Sequence, residues 1–448
     1  MSSVWKTARA VVEALEPRAL CSASALSITE AHVFGGTQLR IEGTPGNDNI
    51  AVAQTDAGLL VSNGGWSQAV PGRFQSILID GGAGNDAIRV DPSVQTDCIL
   101  YGGPGNNTLV GGSGNDRLYS GAGRNLLEAG SGDEMLVSIG SIADTLIGGP
   151  GRDSFWTDAS PRQKIFNLRA DEIAAGNVHR AASFYAPGLR RHGASNSRAM
   201  RVRRLPEPAT TDGSSYQDFS SHPLFGPGGP SPDDVFQGDV GDCYYLATLS
   251  AVAKADPAKL RQSVLDMGDG TYLVQFSRGN GKVFVRVDGK LPVLPGGAPA
   301  YAGLGAGSSL WVAIMEKAYA ILHGPTPSYG SIDGGWMDEA FSALGARGQS
   351  LAASNPSDLL VQIERELSAG RSVTYAAGTP ADGAPLLEQH AYSVDSILLD
   401  PDGNAIGLRL RNPWGVAGTG DAGSNNGYVT LTPRQAYDSM LGVVSALV

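Results

Sequence analysis

Gln237-Gly238-Asp239-Val240-Gly241-Asp242-Cys243-Tyr244 runs directly into Tyr245, Leu246, Leu249 and Val252, an apolar spacing that predicts a buried helix over Cys243 to Lys254. Asp242 is a residue type that caps helix N-termini. Cys243 then falls in the first turn, where the positive end of the helix favours a thiolate. Far downstream come Gln389-His390-Ala391-Tyr392-Ser393-Val394 and Arg411-Asn412-Pro413-Trp414-Gly415. A thiol, an imidazole and an amide in that order supply a nucleophile, a base and a group that orients the base. Gln237, six residues before the cysteine, offers a side-chain amide to a developing oxyanion. Each residue alone has a plainer reading: a small buried hydrophobe, a hydrogen-bonded histidine, a turn before proline. Their joint occurrence in order selects the chemistry.

The text around these residues extends the pattern. Trp311-Val-Ala-Ile-Met-Glu316-Lys317-Ala318-Tyr319 and Ser331-Ile-Asp-Gly-Gly-Trp-Met-Asp-Glu339-Ala340-Phe341 lie between the cysteine and the histidine. Together the strings resemble the calpain family of papain-like cysteine proteases, from about Pro223 to the end of the sequence. The resemblance implies a two-lobed fold and endopeptidase activity, with Cys243 as nucleophile, His390 as base, Asn412 as orienting residue and Gln237 as oxyanion donor. It also implies that Trp414 shields the Asn–His contact. Tyr244 stands where the family usually has Trp. After Gly415 the sequence reads Val416-Ala-Gly-Thr-Gly420, nearly uncharged where the family carries acidic residues, so calcium control of the protease core is in doubt. The competing reading is a surface-binding or adhesion protein with an inactive calpain-like module; a third keeps the thiol chemistry for transpeptidation.

Expected elements in this half include a hairpin of Thr271–Phe276 and Lys282–Val287 around Gly279-Asn280-Gly281. A helix over Leu310–Leu322 is closed by Gly324. Strands follow at Ser372–Ala376, Ala391–Leu399, Ala405–Arg411 and Gly427–Leu431.

The first half is of another kind. Of the 61 glycines, 25 crowd into the first 155 residues. Gly102-Gly103-Pro104-Gly105-Asn106-Asn107-Thr108-Leu109 is followed nine residues on by Gly111-Gly112-Ser113-Gly114-Asn115-Asp116-Arg117-Leu118. Leu109, Leu118, Leu127 and Leu136 keep that period. Glycine supplies tight turns and the leucine points inward from a short strand. The pattern resembles the calcium-binding nonapeptide of the repeats-in-toxin (RTX) family, a parallel β-roll. Alternate repeats share a side, so Asn107 and Asn125 form one neutral column and Asp116, Glu134 and Asp153 another. Carboxylates favour calcium. The expected ligands are therefore Asp116, Glu134 and Asp153, with Asp86 from an earlier copy, and few ions.

The resulting expectation is a multidomain chain with an N-terminal all-β parallel β-roll or solenoid and a C-terminal α+β, two-lobed, papain-like protease domain. Its divisions are a leader over 1–26, the roll over 27–159, a basic Pro/Gly/Ser-rich linker over 160–222 and the protease over 223–448. From Pro161 to Arg204 ten Lys or Arg residues face two acidic ones, without the interleaved aromatics of a nucleic-acid surface. That stretch reads as a solvated, cleavable linker. Net charge is −11 and charged residues make up 17%, which argues against a nucleic-acid partner. No run reaches the roughly 18 apolar residues of a membrane span. Cys21, Cys98 and Cys243 lie too far apart to suggest a zinc site or a disulfide framework. Leu15-Glu16-Pro17-Arg18-Ala19-Leu20 resembles a leader motif of exported bacterial proteins, so the expected setting is secreted or cell-surface, with calcium as cofactor and proteins or peptides as substrates.

Overall fold

The computed structural model describes residues 26–448 except 34–35, 142, 183, 185–204, 227 and 417–426. The leader motif, residues 183 and 185–204 of the basic stretch and the text from 417 to 426 lie outside the described residues.

Short strands separated by glycine turns stack into a parallel solenoid of two eight-stranded sheets. One sheet contains Cys98–Tyr101, Arg117–Tyr119, Met135–Ser138 and Ser154–Asp158; the other contains Thr108–Val110, Leu126–Glu128 and Thr145–Ile147. Successive nonapeptides alternate between sheets, so Arg117 pairs with Ile99 and Met135, and Leu126 with Thr108 and Thr145. Leu100, Leu109, Leu118, Leu127, Leu136 and Leu146 fill the interior without exposure. The turns admit only glycine where coils touch. At Gly105 (φ +145°) an added Cβ would lie 1.5 Å from the carbonyl oxygen of Gly84.

The expected linker boundary at residue 160 is too early. Lys164–Phe166 and Val178–Ala181 add a strand to each sheet, and the short helix Ala170–Ala175 joins them. Charged Lys164, Arg169 and Arg180 of this last coil are exposed, while Ile165 and Val178 pack against the core. The far boundary moves as well, because Ser215–Asp218 pairs with Lys290–Val293 of the second half.

Beyond residue 205 the chain forms two lobes. The first packs helices Cys243–Ala255, Trp311–His323 and Met337–Ala343 against a three-stranded antiparallel sheet of Val264–Asp266, Thr271–Arg278 and Gly281–Asp288. The second is a six-stranded antiparallel sheet that includes Ser372–Ala377, His390–Leu399, Ala405–Arg411 and Tyr428–Leu431, covered by helix Pro356–Ser368. The hairpin turns where expected, and the long helix spans Trp311–His323 before Gly324.

The halves are packed together. Tyr119, Val137, Trp156 and Ala181 on the outer face of the solenoid meet Leu265, Leu273 and Phe284 of the three-stranded sheet, all buried. Trp156 stacks on His179 at 4.0 Å and meets Phe284 edge-on. The Tyr119 hydroxyl donates to the Asp266 carbonyl (2.8 Å), and His179 Nδ1 lies 2.8 Å from Gln275 Oε1.

Candidate active site

The helix carrying Cys243 is buried nearly all round, from Tyr244 to Ala253, which fixes its first turn in the wall between the lobes. Cys243 opens onto a cleft of about 460 Å³ shared with Gln237, Asp333, Glu388, His390 and Trp414. Burial pushes its thiol above the ordinary range. The N–H groups of Ala391, Tyr244 and Cys243 itself pull the other way.

His390 begins a strand of the second lobe, opposite Ala377. Its Nε2 lies 2.9 Å from Asn412 Oδ1. An amide oxygen only accepts, so Nε2 holds the proton and Nδ1 is the acceptor. Asn412 is fully buried, and its Oδ1 also accepts the Trp414 N–H (3.0 Å), which fixes the amide orientation. The Trp414 ring sits 5.1 Å from the imidazole and is 43% exposed. Burial holds the imidazole below its ordinary range, and the Asn412 contact opposes the shift. Gln389, immediately before, adopts φ +53°, a conformation costly for a non-glycine residue and concentrated at functional sites.

The cleft thus brings together Cys243, His390 and Gln237, with Asn412 buried behind the imidazole, but with three differences. Gln237 Nε2 donates to the Val240 carbonyl (2.7 Å) rather than into the cleft. Asp242 stands at the N-cap, yet its side chain makes no capping hydrogen bond. Among the described residues no hydrogen bond joins Cys243 Sγ to His390. Arg411, which sequence reasoning did not single out, ties the lobes through the Asp233 carboxylate (3.2 Å) and the Val235 carbonyl (3.2 Å). Its only sequence signal was a charge at the end of an apolar strand.

The repeat carboxylates behave as ladders. Asp86 and Asn107 each receive a side-chain oxygen from the next coil on their backbone N–H, from Asn107 and Asn125 respectively. Asp116 accepts from Cys98 and Gly112, and Asp153 from Glu134 and Gly149. Asn107 Nδ2 also donates to the Gly103 carbonyl, so an amide hydrogen occupies an oxygen that a cation would use. Glu134 differs. It is one methylene longer than Asp, and both its buried oxygens lack a donor. Burial and the adjacent Asp153 push its carboxyl well above the usual range. A calcium ion fits this donor set, an uncompensated carboxylate beside a second one, and does not fit the Asn107–Asn125 column. Among the described residues no cluster of three or more His, Cys, Asp or Glu side chains gathers, so turn carbonyls would complete such a site.

Residues 206–425 match the calpain family cysteine protease family, and residues 101–133 and 139–160 match the RTX calcium-binding nonapeptide repeat. The chicken calpain-2 catalytic subunit is 32% identical over 217 residues, 44% of this chain and 30% of that protein. The human calpain-2 catalytic subunit is 32% identical over 270 residues, 55% of this chain and 36% of its own. The calpain-type cysteine protease ADL1 of Oryza sativa subsp. japonica is 30% identical over 217 residues and is covered over 10% of its length. The chain therefore spans well under half of each of these relatives. Among the described residues no helix is long and apolar enough to cross a membrane. The second half of this chain is a calpain-family cysteine protease domain, and it follows a solenoid of RTX calcium-binding repeats.

Proposed function

We propose that the chain is a cysteine endopeptidase in which Cys243 attacks a peptide carbonyl, His390 moves the proton and Asn412 orients the imidazole. The observation that carries this reading is the His390–Asn412 hydrogen bond at the mouth of the cleft that holds Cys243. It fixes the tautomer that leaves Nδ1 to take the thiol proton. The thiolate adds to the carbonyl carbon, and the oxyanion is met by the Gln237 amide, once it has left the Val240 carbonyl, together with the Cys243 backbone N–H. The imidazolium then protonates the leaving amine, and water attacks the thioester to release the acid and restore the thiol. Among the described residues no hydrogen bond joins Sγ to the imidazole, so in this reading the pair is completed when substrate enters the cleft. Substrates are proteins or peptides, and the RTX repeats favour a secreted or surface setting. Calcium supplies charge neutralisation between coils, with Glu134 and Asp153 as the residues that would hold it and Asp116 and Asp86 engaged on backbone N–H groups.

An active-site-directed thiol probe and a casein substrate test the reading. Wild-type protein is expected to be labelled and to cleave casein. Cys243→Ala is expected to lose labelling and at least about 10⁴-fold in rate. Folded wild-type protein that is neither labelled nor active, with or without calcium, would overturn it.

A further inference from the structure

Cys243 and His390 are each the first residue of an element, the helix Cys243–Ala255 and the strand His390–Leu399. Cys243, Ala247, Ser250 and Lys254 follow the i, i+4, i+7, i+11 spacing that puts side chains on one face of a helix. Along the strand, Ala391, Ser393 and Asp395 alternate with Tyr392 and Val394. Tyr392 and Val394 belong to the core of the second lobe, whereas Ala391 packs into the core of the first. The helix stripe and the strand meet at two polar contacts. The Ser250 and Ser393 hydroxyls are 2.8 Å apart, and both are buried. Lys254 donates to the Asp395 carboxylate at 2.7 Å and also to the Asp395 carbonyl.

The two spacings match. From Cys243 to Ser250 and on to Lys254 the helix rises about 10 Å and then about 16 Å in all. From His390 to Ser393 and on to Asp395 the strand advances by the same about 10 Å and about 16 Å. The elements therefore run side by side in one sense. Nucleophile and base stand level at one end, the hydroxyl pair in the middle and the ion pair at the other end. Apolar contacts such as those of Ala247 and Ala391 are non-directional and would let the helix slide. A hydroxyl pair does not, because its hydrogen bond is lost once the oxygens are more than about 3.5 Å apart. Among the described residues neither hydroxyl has another hydrogen-bond partner. The ion pair lies nearer the surface, where solvent weakens it, so the buried pair carries the register.

We infer that Ser250 and Ser393 are positioning residues: their hydrogen bond sets the register of the nucleophile helix on the base strand, so that the Cys243 thiol and the His390 imidazole meet across the lobes. Asn412 fixes how the imidazole is turned. The hydroxyl pair fixes where along the seam it stands relative to Sγ.

This assignment rests on Cys243 as nucleophile and His390 as base. Ser250→Ala, Ser393→Ala and the double variant, each in the full chain, separate position from stability. A single variant leaves one buried hydroxyl without a partner, which destabilises the fold, and the double variant leaves none. The urea midpoint is therefore expected to fall in the singles and to return toward wild type in the double. kcat on a peptide substrate is expected to fall at least about fivefold in all three, with KM within about twofold, because each lacks the register contact. A pair that only held the fold together would restore kcat in the double along with the midpoint, and that result overturns the proposal. Where a single variant does not fold, the double decides by the same criterion. Iodoacetamide alkylation of Cys243 at pH 7, read by peptide mass spectrometry, needs no proteolysis. It is expected to be at least about threefold slower in the double than in wild type, since a displaced imidazole no longer draws the thiol proton, and equal rates overturn the proposal. Wild-type protein that is alkylated at Cys243 but cleaves no peptide would sink the protease reading and leave the alkylation comparison to decide the register.

Discussion

The solenoid and the protease domain bury polar groups by opposite means. In the solenoid the ladder contacts run from a side-chain oxygen to a backbone N–H one coil away, as in the Asp116–Cys98 and Asn125–Asn107 contacts, 18 positions apart in sequence. In the protease domain the corresponding contacts span the chain: Arg411 reaches Asp233 across 178 positions and Ser250 reaches Ser393 across 143. A ladder tolerates a fault in one coil because only its neighbours feel it. The protease cleft exists only if distant segments meet. The contrast teaches where each half is vulnerable: the solenoid at the fit between coils, the protease at the contacts between lobes.

The interface between the halves tests whether that contrast survives in the whole chain. Trp156 belongs to a ladder strand, yet its ring lies against His179 and Phe284. Trp156→Ala is expected to cost about 3–5 kcal/mol and to split one unfolding transition into two, measured by calorimetry of the full chain. An unchanged midpoint would mean that the halves are thermodynamically separate.

Calcium sharpens the comparison within the solenoid. At about 100 times its dissociation constant a ligand of the native state adds about 2.7 kcal/mol of stability. The urea midpoint of the solenoid is expected to rise between chelator and millimolar calcium. Glu134→Gln is expected to abolish most of that rise, because it neutralises the one ladder carboxylate that lacks any donor. A rise of equal size in the variant would move the site away from Glu134.

The same contrast governs what the sequence discloses. The Leu109, Leu118, Leu127 and Leu136 period is local, and it predicts coils that the structure contains. Consecutive apolar pairs, Leu118-Tyr119, Leu136-Val137 and Phe155-Trp156, carried a second message: strands buried on both faces. The coil ending at Ala181 was hidden by Lys164, Arg169 and Arg180, whose charges read as linker although Ile165 and Val178 pack against the core. In the protease half the string around Cys243 is a local signal, but Asp242, a helix-cap type, stands at the N-cap without a capping hydrogen bond. The engagement of Gln237 with Val240 is likewise a matter of loop conformation rather than residue type.

The smallest expected effect lies at the same interface and depends on pH. His179 is 1% exposed, and its Nε2 has no partner. Burial lowers its pKa from 6.5 to about 3, against a smaller opposing effect of Gln275. The unfolded chain binds this proton below about pH 6.5 and the folded chain does not until about pH 3. Folding stability therefore falls as pH drops through that window, by at most about 1.4 kcal/mol per unit from this residue. His179→Phe keeps a ring against Trp156 and removes the titration, so its urea midpoint is expected to fall less steeply than that of wild type between pH 6.5 and 5. Because Gln275 and Phe284 belong to the protease half, a matching change in the pH dependence of the protease transition would show that one buried imidazole is read by both halves. A change confined to the solenoid transition would show that the ladders end, energetically, at their own surface.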